Sequence, residues 1–319
     1  MNDTIHIALC CDARYLPYAT ATMASCIAHC AQPQRLHFHL VALDIEADKL
    51  NIMTAFIEAK GSKVTTHSPD ERSYAGFRTN QYGPAVYHRI SLPDYLQAHA
   101  RWVIYLDSDL LVLDDIQALW AETQKHPDMA TAAVIDYSPP SEKHVDVPRK
   151  DYFNSGVLLI NIEQWHQQQL HQKTIQYLNE NHQGLTFVDQ CSLNAVHNGR
   201  WHRLHARWNI QGNIYSFWRS KDANPYLLKE EAREATSNPG IIHFVGAKKP
   251  WKARCFHPYE FAYRKIFKET PFYKEGSPPT SETVIKGWIM KPHRRIGQLT
   301  KILYIAVLSF IAGKSKHPA

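Results

Sequence analysis

No Asp or Glu occurs in residues 283–319, although that stretch carries seven basic residues: Lys286, Lys291, Arg294, Arg295, Lys301, Lys314 and Lys316. The formal charge of the chain is +6, so taking away those seven leaves −1 for residues 1–282. A nucleic-acid enzyme spreads basic residues over its main body, so no nucleic-acid partner is expected here. The six cysteines lack the paired Cys-x2-Cys spacing of a zinc site, and they read as small apolar residues in a reducing compartment. Residues Met1-Asn2-Asp3-Thr4 carry neither the basic region nor the long apolar run of a signal peptide, which predicts a cytoplasmic protein. The apolar run at 302–313 is too short to span a bilayer. Charged residues make up only 21%, too few for a disordered chain, and 44% hydrophobic residues supply a sizeable core. No internal repeat is present.

What is there begins as a strand and helix alternation. Apolar runs at 5–11, 35–43, 63–67 and 102–106 read as strands, with helices at 17–30, 46–60 and 84–99, the last kinked or divided by Pro93. This rhythm predicts an α/β fold with a mostly parallel, doubly wound sheet, whose ligands bind beyond the carboxyl ends of the strands. Further on, 130–135, 153–162 and 240–244 read as strands, and 163–181 and 189–198 as helices. Segments 137–151 and 211–239 read as loops or lids. A Pro/Ser stretch after Gly276 divides a main domain, 1–275, from a tail, 276–319.

Two local patterns carry chemistry. Asp107-Ser108-Asp109 ends the fourth strand, where alternation sends residues i and i+2 to one side. Two carboxylates there repel unless a cation lies between them, and oxygen ligands suit Mg²⁺ or Mn²⁺. A surface acid pair beside the capping residues Asp114 and Asp115 is the plainer alternative. The second pattern runs from His243 to Trp251: a His at a strand end, Gly246 permitting close backbone approach, and Lys249 able to meet phosphate. A core histidine followed by a turn is the alternative reading there.

These patterns, with four others, resemble the retaining glycosyltransferases of family 8, which include bacterial lipopolysaccharide galactosyl- and glucosyltransferases and glycogenin. The resemblance covers roughly residues 4–265. Cys11-Asp12-Ala13-Arg14-Tyr15 stands where the family binds uracil and ribose, and Tyr87-His88-Arg89 resembles the segment whose Arg contacts the donor. Phe153-Asn154-Ser155-Gly156-Val157 and Asp189-Gln190 match two further motifs in order. Departures stand at Ala13-Arg14, where a second acid or Asn is common, and at Cys191, where another Asp often follows.

The resemblance implies a GT-A type, Rossmann-like fold and a donor of UDP-galactose or UDP-glucose. It assigns Asp107, Asp109 and His243 to Mn²⁺ or Mg²⁺. It assigns Asp12, Arg14, Tyr15, Arg89, Ser108, Gly246 and Lys249 to donor binding, and Asn154, Asp189 and Gln190 to the sugar and its transfer. It implies retention of configuration, by double displacement at Gln190 or by front-face attack. The basic, apolar tail suits an interfacial helix on an anionic leaflet, with Trp288 at headgroup level; packing against the protein's own core is the alternative. The expectation is therefore a hexosyltransferase at the inner membrane face with a lipid-linked oligosaccharide acceptor, the lipopolysaccharide core. Three rivals are weaker. A haloacid dehalogenase-type phosphatase carries Asp-x-Asp on its first strand, with Thr or Val where this chain has Leu111. A self-glucosylating primer has little use for a basic tail, and a non-catalytic nucleotide-sugar-binding module need not keep all these motifs intact.

Overall fold

The computed structural model describes residues 4–79, 83–140, 145–212, 214–215, 225–252, 255–275 and 292–311. Four strands, β1 (Ile5–Asp12), β2 (Leu36–Leu43), β3 (Lys63–His67) and β4 (Trp102–Leu106), run parallel in the order β3-β2-β1-β4. Helices α1 (Leu16–His29), α2 (Ala47–Glu58) and the short α3 (Leu92–Leu96) make the crossovers. Beyond β4 the sheet becomes mixed. A short strand β5 (Leu110–Val112) and helix α4 (Ile116–Trp120) lead to β6 (Thr131–Ile135), which connects back to β7 (Phe153–Asn161). That local return makes β7 antiparallel to β6, and β7 inserts between β6 and β4 with all nine residues buried. The edge strand β8 (His202–Arg203) completes seven strands, parallel to β6. A mostly parallel sheet flanked by helices was expected, and it is found.

The remaining elements shape the mouth of the sheet. Helices α5 (Ile162–Gln167), α6 (Leu170–Asn181) and α7 (Val188–His197) follow β7. The expected single helix over 163–181 divides at Gln169, which is left-handed at φ 54°. Three successive glutamines give the axis nothing apolar to bury, and the bend lets both Trp165 and Leu170 reach the core. Pro93 begins α3 instead of kinking a long helix, since a first-turn Pro gives up no hydrogen bond. The segment expected as loop at 211–239 contains α8 (Lys229–Ser237), whose buried face of Ala232, Ala235 and Thr236 is too small-chained to stand out as apolar periodicity. Strands β9 (Ile210–Gln211) and β10 (Ile241–His243) join β5 in a three-stranded sheet, and α9 (Glu260–Lys268) packs on α1.

The last described helix, α10 (Pro292–Ile311), bears on the tail. One face docks on the body: Ile305 is fully buried, Gln298 Nε2 donates to the His257 carbonyl at 2.7 Å, and the helix meets α8. The other face leaves Ile296, Leu299, Leu303, Tyr304 and Val307 exposed. Core packing and an outward apolar face thus coexist on one helix. Trp288 lies outside the described residues. Among those described, no helix is long and apolar enough to cross a membrane.

Candidate active site

The carboxyl ends of β1 and β4, the start of β7 and the N-terminus of α7 surround a cleft of about 340 Å³. Strand β4 stops at Leu106, so the turn at 107–109, and not strand alternation, aims the two acids. Thr22 Oγ1 in α1 lies 3.1 Å from the carbonyls of both Ser108 and Leu110, which ties this turn to the body. The small sheet brings in the histidine: β10 pairs antiparallel with β5, so His243 lies opposite Leu110, and Phe244 N donates to the Asp109 carbonyl at 3.1 Å. His243 Nε2 is 3.3 Å from Asp109 Oδ1 and 3.7 Å from Asp107 Oδ2, and one ligand atom from each residue falls within 4.8 Å of the others. The approach requires Gly156 on β7. A Cβ there would stand 2.2 Å from His243 Cε1 and 3.0 Å from Asp107 Oδ2.

A directed hydrogen-bond chain sets the histidine tautomer. Gly156 N donates to Asn154 Oδ1 at 3.1 Å, and Asn154 Nδ2 donates to Asp136 Oδ2 at 3.1 Å. Asn154 Oδ1 also accepts from Asn209 Nδ2 at 2.8 Å, which turns Asn209 Oδ1 toward His243 Nδ1, 3.0 Å away. A backbone N–H can only donate, so polarity propagates outward from Gly156. His243 Nδ1 must then carry the proton, and Nε2 presents a lone pair to Asp107 and Asp109. Metal-ligating histidines are held by such a partner on the other nitrogen. Asp136 and Asn209, both buried, were not singled out in the sequence. Asp136 ends β6 as Asp107 follows β4, a signal that could have been used; Asn209 has no comparable signature.

Two buried cations sit among the acids. Arg89 reaches Asp107 Oδ1 at 2.9 Å, Asp189 Oδ2 at 3.1 Å and the Ser155 carbonyl at 2.9 Å, with its guanidinium over the Tyr105 ring. Lys249 Nζ donates to Asp109 Oδ2 and to the Phe244 carbonyl. Burial alone would raise the Asp109 carboxyl, but Lys249 outweighs it and holds the group well below the usual range. Burial pushes the carboxyls of Asp189 and Asp136 up. Three buried or half-buried carboxyl groups, Asp107, Asp109 and Asp189, thus face two fixed cations. Two carboxylate oxygens and an imidazole nitrogen, with negative charge left over, fit a divalent ion.

Twelve of the residues expected at the site line this cleft. Asp12, Tyr15, Ser108, Gly246 and Lys249 line it, as do Arg89, Asn154, Asp189 and Gln190 and the Asp107, Asp109 and His243 group. Arg14 is the exception: its side chain is 69% exposed and pairs with Asp12 at 2.7 Å outside the lining. Tyr15 meets Trp251 edge-on, and Trp251 stacks on Tyr18 with ring centroids 3.6 Å apart, a firm aromatic wall. Gln190 is held at both ends of its amide: Oε1 accepts from Ser155 N at 3.0 Å, and Nε2 donates to Asp136 Oδ2 at 3.0 Å.

The sequence matches the family model described as glycosyl transferase family 8 over residues 6–255. Among similar proteins, General stress protein A of Bacillus subtilis (strain 168) is 28% identical over 290 residues, 88% of this chain and 99% of that one. Lipopolysaccharide 1,2-glucosyltransferase of Escherichia coli is 23% identical over 279 residues, covering 85% of this chain and 80% of the other. Among solved structures, the galactosyltransferase LgtC, in complex with donor and acceptor sugar analogs, aligns with a TM-score of 0.73 at 23% identity. That alignment covers 84% of this chain and 96% of that one, a likeness of fold.

The tautomer chain predicts the behaviour of Asn209. Asn209→Ala should weaken Mn²⁺ binding by about 10- to 100-fold while the protein stays folded, and Asn209→Asp, which still accepts from Nδ1, should restore most of it. Calorimetric Mn²⁺ titration with thermal unfolding as a control reads this directly. Equal affinities for wild type and Asn209→Ala would mean that the chain does not position His243.

Proposed function

From the membership of this chain in glycosyl transferase family 8, we propose that it transfers galactose or glucose from a UDP donor to a lipid-linked oligosaccharide, with retention of configuration. The observation that carries this is the convergence of Asp107, Asp109 and His243 at the mouth of a cleft that also gathers Asp12, Arg89, Asp189, Gln190 and Lys249. Because one of the three ligands is an imidazole, Mn²⁺ suits the set better than Mg²⁺, which prefers oxygen alone. A bound divalent ion supplies positive charge against the charge that develops on the leaving diphosphate. Lys249, with its ammonium already beside Asp109, and the left-handed backbone at Gly246 would clamp the same diphosphate. Arg89 and Asp189, fixed against each other, would hold sugar hydroxyls.

Gln190 would lie against the sugar with its amide oxygen already accepting a backbone N–H. An amide held in this way orients a sugar better than it attacks one. This favours front-face transfer: the anomeric carbon–oxygen bond to the diphosphate breaks, the acceptor oxygen bonds to the same face, and its proton passes to a leaving phosphate oxygen. A hydrolysis screen with Mn²⁺ should release UDP from UDP-galactose or UDP-glucose, and not release nucleotide from GDP- or CMP-sugars. Gln190→Ala should cut kcat by about 100-fold with UDP affinity little changed. Failure of every UDP-hexose to turn over would overturn the donor assignment, and equal losses in UDP affinity and turnover would remove Gln190 from the sugar subsite.

The acceptor reading is supported by the similarity to the lipopolysaccharide 1,2-glucosyltransferase and to LgtC, solved with an acceptor sugar analog. The tail at 276–319 would hold the enzyme peripherally on the anionic inner leaflet of the cytoplasmic membrane. The outward apolar face of α10 and the seven basic residues of 283–319 support this, each basic residue near the surface contributing about 1 kcal/mol. Full-length protein should co-sediment with anionic vesicles more than with neutral ones, and less at high salt. Replacing the exposed Leu299 and Leu303 with Glu should abolish most of this binding without disturbing the docked face. Pelleting unchanged by that double substitution would show that the tail is not the anchor.

A further inference from the structure

A second group of metal-competent side chains lies at the other end of the sheet. His6 is the second residue of β1, and His37 and His39 open β2; the parallel register sets His6 beside His37 and puts all three on one face. One ring nitrogen from each falls within 4.8 Å of the other two. His6 Nδ1 is 3.0 Å from His39 Nε2, close to the roughly 3.3 Å between neighbouring nitrogens around a tetrahedral ion. The rings are held from behind. His39 Nδ1 lies 3.1 Å from His67 Nε2 on β3, and His37 Nε2 lies 2.8 Å from Thr65 Oγ1, also on β3. These are the outer partners that orient ligating imidazoles; an ion would take His37 Nδ1 and replace the hydrogen bond between His6 Nδ1 and His39 Nε2.

We propose that His6, His37 and His39 form a second metal site, for an imidazole-preferring ion of the Zn²⁺ type, remote from the sugar-transfer cleft. Six residues of strand separate His6 from Asp12, about 20 Å at the usual rise, so neither site can share ligands with the other. Three nitrogen donors select Zn²⁺, Cu²⁺ or Ni²⁺ over Mg²⁺ and Mn²⁺. A cleft of about 280 Å³, lined by His6, His99 and Arg101, borders the group at His6, and no carboxylate is among the described residues that line it. It offers a path of entry and room for a water as fourth ligand. An ion bound here clamps β1 to β2 at their amino ends, opposite the end at which β1 carries Asp12 into the cleft.

The test uses full-length protein carrying Asp107→Asn and His243→Asn, stripped with chelator and then titrated with Zn²⁺. One equivalent should still bind. Adding His6→Gln and His37→Gln, both on half-buried residues, should weaken that binding by at least about tenfold. Co²⁺ in the same protein should give the visible absorption of a nitrogen-ligated tetrahedral ion, lost in the quadruple variant. Thermal unfolding in chelator controls for folding. If the cleft substitutions themselves unfold the protein, the two glutamine substitutions in the otherwise wild-type chain should lower bound Zn²⁺ by one equivalent. Zn²⁺ binding unchanged by the glutamine substitutions, or no bound Zn²⁺ in a folded protein whose histidine cluster is intact, would overturn the site.

Discussion

The proton on His243 Nδ1 is the constraint on which the rest of the active site depends. It is set by a donor that cannot reverse, the Gly156 N–H, and relayed through the amides of Asn154 and Asn209. With that proton placed, Nε2 has a lone pair facing two carboxylates. The absent side chain of Gly156 is part of the same device, since a Cβ would fill the space His243 occupies. One residue on β7 therefore supplies both the room for the ligand and its orientation. Asn154 carries the relay on to Asp136 and so couples the Asp107, Asp109 and His243 cluster to Gln190.

Charge is the second organising quantity. Asp109 is buried with Lys249 against it, and Asp107 and Asp189 share Arg89. Losing one partner of such a buried pair is costly because the other is left unpaired in a medium of low dielectric. The cation and diphosphate proposed to bind here would therefore meet counter-charges that are already in place. The depressed Asp109 carboxyl contributes stability above the carboxylate's unfolded value, and that contribution fades as pH falls through its lower native value.

Much of this was legible in the amino-acid sequence because parallel strands are continuous apolar runs and their ends carry the chemistry. Asp107 and His243 each follow or end an apolar strand and were picked out there, whereas Asp12 was assigned through the family resemblance. What was not legible depends on contacts distant in sequence. Asn209 acts only through Asn154 and His243, and nothing around it forms a motif. Arg14 follows Asp12 closely and matches the donor loop in position, yet its long side chain finds that neighbouring carboxylate and stays in solvent. Helix α8 was hidden by its small buried residues, and the break at Gln169 by a polar run with no period to interrupt. The histidines of β1 and β2 were visible singly, but only the parallel register shows that they meet.

The central proposal is that Asp107, Asp109 and His243 hold a divalent ion through which a UDP donor is gripped. Its most direct test is the affinity of UDP, by calorimetry, in Mn²⁺ and in EDTA, for wild type and Asp107→Asn. The account predicts strong binding only for wild type in Mn²⁺, with chelation reducing it to the weak level of the variant in either condition. UDP binding that is equally tight in EDTA, or that survives Asp107→Asn unchanged, would contradict it.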